Sequence, residues 1–249
     1  MLVQRPVPPK LARLWRLPST ERRGRPAALS VDLVVRHAVG LADSVGLEGV
    51  TIPKVAAAVG CSTMALYRHV SSKDELLVLM TDLAAGEAPD IDTEVDAWRQ
   101  GLRAWARALY AVTSAHPWIT RVPISGPPSG PAHMAWLDAA LHTLRGTGLG
   151  WAEKVGVVTL TSGYVHQAVR LATDHEAALA AQPAEAYRAY GESLAELVDP
   201  ARFPDAAQLF AAQVFAGAEF ESDPVGQFHF TFGLELILDG VECKVRTSG

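Results

Sequence analysis

The chain has 249 residues, of which 49% are hydrophobic and 20% charged, and its formal net charge at pH 7 is -5. This length and composition predict a globular protein of one or two domains and exclude a disordered or fibrous chain. No apolar run approaches the length of a membrane helix, and the basic N-terminus is interrupted by prolines, which is unlike a signal peptide. Two isolated cysteines form neither a disulfide framework nor a zinc set. We therefore expect a cytoplasmic protein with no membrane partner.

The charges are unevenly distributed along the chain. Residues 1–80 contain eleven Lys and Arg against six Asp and Glu, whereas residues 81–249 contain eleven against 21. A basic N-terminal part joined to an acidic remainder predicts that the basic part binds an anion, most commonly nucleic acid. Chance clustering of charges is the alternative.

Residues 1–29 are predicted to form a mostly disordered basic arm. They contain seven Lys and Arg, five prolines and no periodic apolar pattern. Within the arm, the sequence RRGRP at 22–26 resembles the core of an AT-hook, in which Arg23 and Arg25 would enter a narrow A·T minor groove. A leader that adds only salt-sensitive attraction for DNA is an equal alternative.

Residues 30–88 are predicted to form four short helices, each with its own start signal. The four N-terminal caps are the hydroxyl residues Ser30, Thr51, Ser62 and Ser72. The first helix has apolar residues at spacings of three and four as far as Gly46. The fourth begins with a capping box, in which Glu75 follows Ser72.

The second and third of these helices form a helix-turn-helix pattern. They are predicted over 52–59 and 63–70, with Gly60-Cys61-Ser62 as the turn. In such a pair the first helix braces against the DNA backbone and the second enters the major groove. The inward positions are Val55, Ala56, Val59, Leu66 and Val70. The remaining side chains of the second helix are therefore available for DNA.

The segment 46–77, GLEGVTIPKVAAAVGCSTMALYRHVSSKDELL, resembles the tetracycline-repressor (TetR) family of bacterial transcriptional regulators. The residues that carry the resemblance are Leu66, Tyr67, Arg68, His69, Val70 and Lys73. A looser resemblance to the C-terminal domain of that family covers the helical pair at 131–175 and the ending FTFGLELILDGVE. The resemblance implies a ligand-responsive regulator, most commonly a repressor, that binds a palindromic double-stranded operator as a homodimer.

The resemblance also implies roles for individual residues. Tyr67, His69 and Lys73 match the positions that hold DNA phosphates, and all three side chains can donate hydrogen bonds to phosphate oxygens. A partly buried structural histidine is the alternative for His69.

Base reading then falls to the variable positions of the recognition helix, which are Thr63, Met64, Ala65 and Arg68. Among them, Arg68 is the candidate for a bidentate contact to guanine. Many relatives carry polar or basic residues where this chain has Ile52 and Pro53, so Thr51 or Lys54 is expected to supply the backbone contact there.

Residues 89–249 are predicted to form a larger, entirely helical domain. A buried stripe starts at Asp92 and ends before Pro117, and further helices are predicted at about 132–145, 151–175, 184–198, 205–218 and 224–243. Arg99, Arg103 and Arg107 share another face of the first of these helices, which favours a solvated face over a binding patch. Since no convincing β pattern occurs, the predicted fold is all-α.

The last helix is apolar on nearly all sides and therefore needs cover on more than one side. We predict that it pairs with parts of 151–175 across a homodimer interface, where Gly156, Ser162 and Gly163 allow close approach. The resemblance implies a four-helix bundle at this interface.

Four of the six tryptophans fall within 39 residues and predict an apolar small-molecule pocket in the acidic domain. The predicted lining residues are Trp98, Trp105, His116, Trp118, His133, Trp136, Tyr164, His166, Gln167 and Arg170. The expected effector is mainly apolar and prefers the conformation that does not bind DNA. Membership of the hydrophobic core is the alternative for the tryptophans.

An all-α enzyme and a partner-binding helical bundle with a vestigial DNA-binding head are the rival functions. The sequence has no Glu-x-x-His pair, no G-x-S-x-G elbow, no H-E-x-x-H motif and no phosphate-binding loop. Asp90, Asp92 and Glu94 begin like a calcium loop, but Val95 and Gly101 occupy two of its required positions. We therefore expect no catalysis, no cofactor and no metal.

Overall fold

The structure is a computed structural model that describes residues 7–17, 29–91, 94, 97–123, 126, 129–181, 184–212 and 227–248. This part of the chain contains α-helices, two 3-10 turns at Leu47–Gly49 and Pro117–Arg121, and no strand, so the predicted all-α fold is confirmed. The helices are α1 (Pro9–Leu14), α2 (Val31–Val45), α3 (Ile52–Val59), α4 (Thr63–Leu66), α5 (Lys73–Ala85), α6 (Trp98–Ala115), α7 (Pro131–Thr143), α8 (Trp151–Ala181), α9 (Ala184–Leu197), α10 (Pro204–Ala211) and α11 (Gln227–Ser248).

All four predicted hydroxyl caps start their helices. Each side-chain oxygen accepts a hydrogen bond from the backbone N–H three residues later, at 3.2 Å for Ser30, 3.4 Å for Thr51, 3.2 Å for Ser62 and 3.1 Å for Ser72. Each cap satisfies a backbone donor that has no partner within its own helix. These local bonds explain why α2 to α5 begin where the sequence predicts.

The turn between α3 and α4 depends on glycine. Gly60 has φ +75°, a left-handed conformation that most side chains disfavour, and its N–H donates to Ala57 O. The N–H of Cys61 donates to Ala56 O at 2.9 Å, which closes the end of α3. This turn sets the direction in which α4 leaves α3.

The recognition helix α4 is shorter than the predicted 63–70. Regular α-helical geometry ends at Leu66, after which Arg68 N–H donates to Ala65 O at 3.2 Å and His69 N–H donates to Leu66 O at 2.8 Å. Bonds of this spacing tighten the last turn of a helix. The tightened turn returns the side chain of Val70 to the interior, where it is fully buried.

Part of the predicted disordered arm is helical. Residues 9–14 form α1, and Leu14 is buried against the helices of the N-terminal part. The prediction failed there because it relied on periodicity over several turns, whereas α1 is a single six-residue segment with proline in its first turn. The resembling AT-hook residues, Arg23 and Arg25, lie outside the described residues.

The other helices lie close to their predicted positions, with shifted ends. Helix α6 begins at Trp98 instead of Asp92, since residues 94 and 97 are not helical. Helix α8 continues beyond 175 to Ala181, through an alanine-rich stretch of strong helix formers that apolar periodicity does not detect. Helix α11 continues beyond 243 to Ser248, and residues 213–226 lie outside the described part of the chain.

Buried apolar side chains form two separate clusters. The N-terminal core contains side chains of α1 to α5, among them Leu66, Leu76 and Met80, and also Trp118 from the 3-10 turn that follows α6. The body core contains side chains of α6, α7, α8 and α11, with Leu102 and Leu234 almost fully buried. The N-terminal core therefore carries the helix-turn-helix, and the body core carries the larger helical part.

The predicted solvated face of α6 is instead an ion-pair surface. Arg103 pairs with Glu235 at 2.5 Å, while Arg99 reaches Glu235 at 2.8 Å, Asp239 at 2.6 Å and Glu242 at 3.0 Å. Hydrogen bonds from Arg103, together with Arg99, lower the pKa of Glu235 to about 2 despite its partial burial. The sequence could not show this pairing because the paired residues of α6 and α11 are separated by 132 to 143 positions along the chain.

No helix in the described residues combines the length and the apolar character needed to cross a membrane.

Candidate DNA-binding surface and effector site

The outer surface of α3, α4 and the start of α5 presents most of the residues predicted to bind DNA. Lys54, Thr63, Met64, Tyr67, Arg68 and Lys73 are exposed, while Thr51, Ala65 and His69 are half-buried. Met64 is 72% exposed, so most of its side chain is accessible at this surface. Val55, Ala56 and Leu66 lie beneath this surface and belong to the N-terminal core. Because these buried side chains fix the orientation of α3 and α4, the exposed side chains face outward.

Three cations on this surface have no acidic partner among the residues that the structure describes. In the described part of the chain, Lys54, Arg68 and Lys73 form no ion pair, whereas Arg13 and Arg16, nearer the start of the chain, are paired with acids. Unpaired cations on a convex, exposed surface are available to phosphate oxygens, which form the sequence-independent part of a DNA contact.

His69 differs from these cations because it is partly buried. Burial lowers the pKa of His69 below its ordinary value of 6.5, and the neighbouring charge of Arg68 lowers it further. The imidazole is therefore mostly neutral at pH 7 and donates one hydrogen bond without a charge. Both the phosphate contact and the structural alternative fit this partly buried position.

The segment that joins α4 to α5 is held by a buried carboxylate. The Glu75 side chain accepts hydrogen bonds from Ser71 N–H at 2.6 Å and Ser71 Oγ–H at 2.5 Å, and pairs with Arg13 at 2.6 Å. The predicted capping box is thus only half correct, because Glu75 reaches Ser71 and not the backbone N–H of Ser72. The network fixes the loop immediately before Lys73, the first residue of α5.

The four clustered tryptophans do not share one cavity. Trp105 and Trp136 lie in the body core with ring centres 6.2 Å apart, and Trp98 packs against the same core. The indole N–H of Trp105 donates to Trp136 O at 3.0 Å, and that of Trp136 donates to Ala85 O at 2.9 Å. Both N–H groups are therefore used by the protein itself, as expected of core residues.

Trp118 and His116 belong to the other core, which corrects the prediction that they line the same pocket. Trp118 is buried in the N-terminal core and donates its indole N–H to Asp43 Oδ1 at 2.6 Å, and Nδ1 of His116 lies 2.7 Å from the same oxygen. Asp43 stands on α2, so these contacts join the helix-turn-helix part to the body. The periodicity along α6 ends before Pro117 and does not show which core the residues after it join.

His133 of α7 and His166 of α8 are half-buried and lie near each other, whereas the half-buried Tyr164 lies on the side of α8 that contacts α11. Burial lowers the pKa of both histidines; Asp82 partly opposes this for His133, and the proximity of His133 lowers the pKa of His166 further. The Tyr164 hydroxyl donates to His229 O at 2.7 Å, and its ring stacks on Phe230. The predicted residues Gln167 and Arg170 are exposed on another face of α8.

Sequence reasoning missed Asp82, which joins α5 to α7. Its Oδ1 accepts the backbone N–H of His133 at 3.0 Å, in the first turn of α7, and its carboxylate lies where a side chain on Gly130 would stand. Gly130 supplies no capping side chain of its own, so Asp82 caps α7 from another helix. A carboxylate within the buried face of α5 is the one signal in the sequence that marks this contact.

Two family models match the chain. The model described as bacterial regulatory proteins, tetR family, matches residues 28–80, and the model described as tetracyclin repressor-like, C-terminal domain, matches residues 89–245. The HTH-type transcriptional repressor DrrR1 of Streptomyces coeruleorubidus is 36% identical over 236 residues, which cover 93% of this chain and 84% of the relative. The tetracycline repressor protein class E of Escherichia coli is 28% identical over 57% of this chain and 68% of that protein.

Solved structures share the fold. Apo ActR from Streptomyces coelicolor superposes with a TM-score of 0.71 at 23% identity, covering 90% of this chain and 100% of that one. ActR in complex with actinorhodin superposes with a TM-score of 0.70 at 25% identity, covering 88% and 97%. The matches extend over both the helix-turn-helix part and the helical body.

Proposed function

The chain belongs to the tetR family of bacterial regulatory proteins, and we propose that this transcriptional regulator is a repressor that binds a palindromic operator as a homodimer until a small, mainly apolar effector releases it. The observation that carries the proposal is the exposed helix-turn-helix surface, on which Lys54, Arg68 and Lys73 form no ion pair with any residue that the structure describes. We assign the chain to the cytoplasm, where its operator DNA is found, and assign it no catalysis.

On this surface we assign phosphate contacts to Tyr67, His69 and Lys73, with Thr51 and Lys54 adding contacts from α3. Base reading is assigned to the exposed Thr63, Met64 and Arg68, together with the half-buried Ala65, because these residues lie on or directly after α4, the helix proposed to enter the major groove. Arg23 and Arg25 are assigned to the flanking minor groove.

The dimer is proposed to form through α8 and α11, because both helices leave apolar side chains uncovered. Leu160 of α8 and Phe232 and Leu236 of α11 are each more than half exposed, at 57%, 57% and 56%. The exposed positions recur at spacings of three and four along each helix, which is the pattern of a helix face that packs on a partner. A homodimer with twofold symmetry presents two copies of α4, which suits a palindromic operator.

The effector site is proposed to lie in the body between α6, α7 and α8. The apolar residues assigned to it are Trp98, Trp105 and Trp136, the neighbouring polar groups are His133 and His166, and Tyr164 is assigned to its α11 side. ActR, which shares this fold, has been solved in complex with actinorhodin, which supports a small-molecule ligand for this chain as well. His116 and Trp118 are assigned to the joint with the N-terminal core, and Gln167 and Arg170 to the exposed face of α8.

Fluorescence anisotropy with the DNA upstream of the protein's own coding sequence tests the proposal. We expect salt-dependent, sequence-selective binding, and we expect Lys73→Ala to weaken all sequences alike and lower the salt slope by about one. Arg107→Ala is the matched control, since it removes an equally exposed charge from the body. Equal affinity for upstream and unrelated DNA at every salt concentration would refute the proposal.

The effector is sought by tryptophan fluorescence, followed by the same anisotropy assay in the presence of each ligand that binds. We expect His166→Ala to lose the response to the ligand while keeping its affinity for the operator. A variant that responds like the parent would place the effector elsewhere.

A further inference from the structure

Helix α1 lies before residues 28–80, which match the family model, yet it is fixed to the helix-turn-helix part. Leu14 is 4% exposed and packs into the N-terminal core, and the neighbouring Arg13 reaches across to α5. Just after the C-terminus of the helix, Arg16 pairs with Asp32 at the start of α2. The anchored position of α1 points to a role within the DNA-binding part.

The partner of Arg13 is a carboxylate that is buried against the core. The Glu75 side chain is 4% exposed, compared with 30% for Arg13, and their closest atoms are 2.6 Å apart. Burial alone would raise the pKa of Glu75, but hydrogen bonds from Arg13 and Ser71, together with the Arg13 charge, outweigh burial and hold the pKa below its ordinary value. In the described part of the chain, Arg13 is the cation that pairs with this carboxylate.

The ionised carboxylate organises the loop that meets DNA. It accepts two hydrogen bonds from Ser71, and the Glu75 backbone N–H donates to Ser72 Oγ at 3.1 Å. These bonds fix the backbone immediately before Lys73, where the first N–H groups of α5 have no partner inside their helix. The negative charge strengthens these hydrogen bonds, and protonation of Glu75 would remove that charge and add an O–H donor opposite Arg13.

We propose that Arg13 is a positioning residue for phosphate binding, which acts through Glu75 to hold Ser71, Ser72 and Lys73 in the conformation that binds DNA. This inference rests on the proposed function. Arg13 does not itself touch DNA in this scheme. Its Nε donates to Glu75 Oε1 at 2.6 Å, and its Nη2 lies 3.5 Å from Ser71 Oγ, so the guanidinium contacts the residues that it is proposed to position.

The test compares Arg13→Gln with Arg16→Gln in the full chain, using anisotropy with operator DNA over a range of salt. Both substitutions remove one charge from the same end of α1, but Arg16 pairs with the exposed Asp32 and touches no part of the loop. We expect Arg13→Gln to weaken binding about tenfold, the equivalent of one charge-assisted hydrogen bond, with the salt slope unchanged. We expect Arg16→Gln to stay within about twofold of the parent.

A double-mutant cycle with Glu75→Gln separates positioning from direct contact. If Arg13 acts through Glu75, the double variant binds no more weakly than the weaker single variant. A direct phosphate contact by Arg13 would have two signs: Arg13→Gln would lower the salt slope by about one, and its loss of affinity would add in full to the loss caused by Glu75→Gln. That result would overturn the proposal. Equal affinities of Arg13→Gln and Arg16→Gln would also overturn it.

Ser71→Ala provides a second route should Arg13→Gln fail to fold. It removes one hydrogen bond to Glu75 at an exposed position, and we expect a severalfold loss of affinity at an unchanged salt slope. Parental affinity in Ser71→Ala would contradict the proposed positioning. Absence of operator binding by the parent protein would instead refute the proposed function, so the two failures are distinguishable.

Discussion

The contact between Asp82 and α7 can be broken without changing a charge, by Gly130→Ala. A Cβ atom on Gly130 would lie 2.0 Å from Asp82 Oδ1 and 2.2 Å from Cγ, so the carboxylate must move away from the N-terminus of α7. The backbone itself tolerates alanine, because Gly130 has φ -87° and ψ 159°. The cost of the substitution therefore reports the displaced contact.

The size of the effect follows from what Asp82 loses. A lost N-terminal cap costs about 1 kcal/mol of folding free energy, and a buried charged acceptor left without its donor costs about 1.5–3 kcal/mol. We expect Gly130→Ala to destabilise the protein by about 2.5–4 kcal/mol, which lowers Tm by roughly 5–16 °C in a chain of this size. Asp82→Ala removes the stranded charge together with the cap, so it should cost less, about 1–2 kcal/mol.

Thermal and urea unfolding measure these differences. Gly150→Ala is the matched control, since Gly150 also precedes a helix but a Cβ there meets its nearest atom at 3.6 Å, an ordinary contact. The double variant Gly130→Ala/Asp82→Ala should be less destabilised than the sum of the two single variants, because the clash disappears with the carboxylate. Equal stabilities of Gly130→Ala and Gly150→Ala, or full additivity in the double variant, would refute the reasoning.

Three further predictions concern charge, pH and assembly. The pKa of Glu235 in the folded protein, about 2, lies below its ordinary 4.5, so its contribution to stability is present above pH 4.5 and is lost as pH falls towards 2. In Glu235→Gln, Tm should therefore change less between pH 4.5 and pH 2 than in the parent. Since a phosphate favours protonated His69, operator affinity should rise as pH falls below 6.5. If His69→Gln shows the same dependence of affinity on pH as the parent, His69 does not contact the phosphate. Leu236→Glu should give a monomer by sedimentation at micromolar concentration, whereas Leu197→Glu, at an exposed position on α9, should leave the dimer intact; a dimeric Leu236→Glu would exclude this interface.

Local signals in the sequence predicted the helix-turn-helix part well. A hydroxyl cap or a left-handed glycine acts within three or four residues, so Ser62 and Gly60 could be interpreted without knowing the fold. The extent of α4 was overestimated because the buried position of Val70 is reached by a tightened turn, and not by a continuous helix. The composition of the surface was predictable because the inward residues of α3 and α4 are all small or apolar.

Contacts between distant elements were not predictable in the same way. Arg99 was interpreted as solvated because its partners on α11 follow some 140 residues later, at separations of 136 to 143. The tryptophans were grouped by their proximity in the chain, but the turn at Pro117 sends Trp118 to a different core. A pattern within one helix shows which face is apolar, and it does not show which of two cores that face will join.

The position of Trp118 has a consequence for how the chain can be cut. A boundary near residue 88 separates the helix-turn-helix part in sequence, yet a fragment that ends there lacks the indole that fills the N-terminal core and the donor that satisfies Asp43. Such a fragment should unfold at lower denaturant concentration than the same part does within the intact protein. In the intact protein, the amides of the turn Pro117–Arg121 should exchange with solvent deuterium together with those of α2, as members of one cooperative unit.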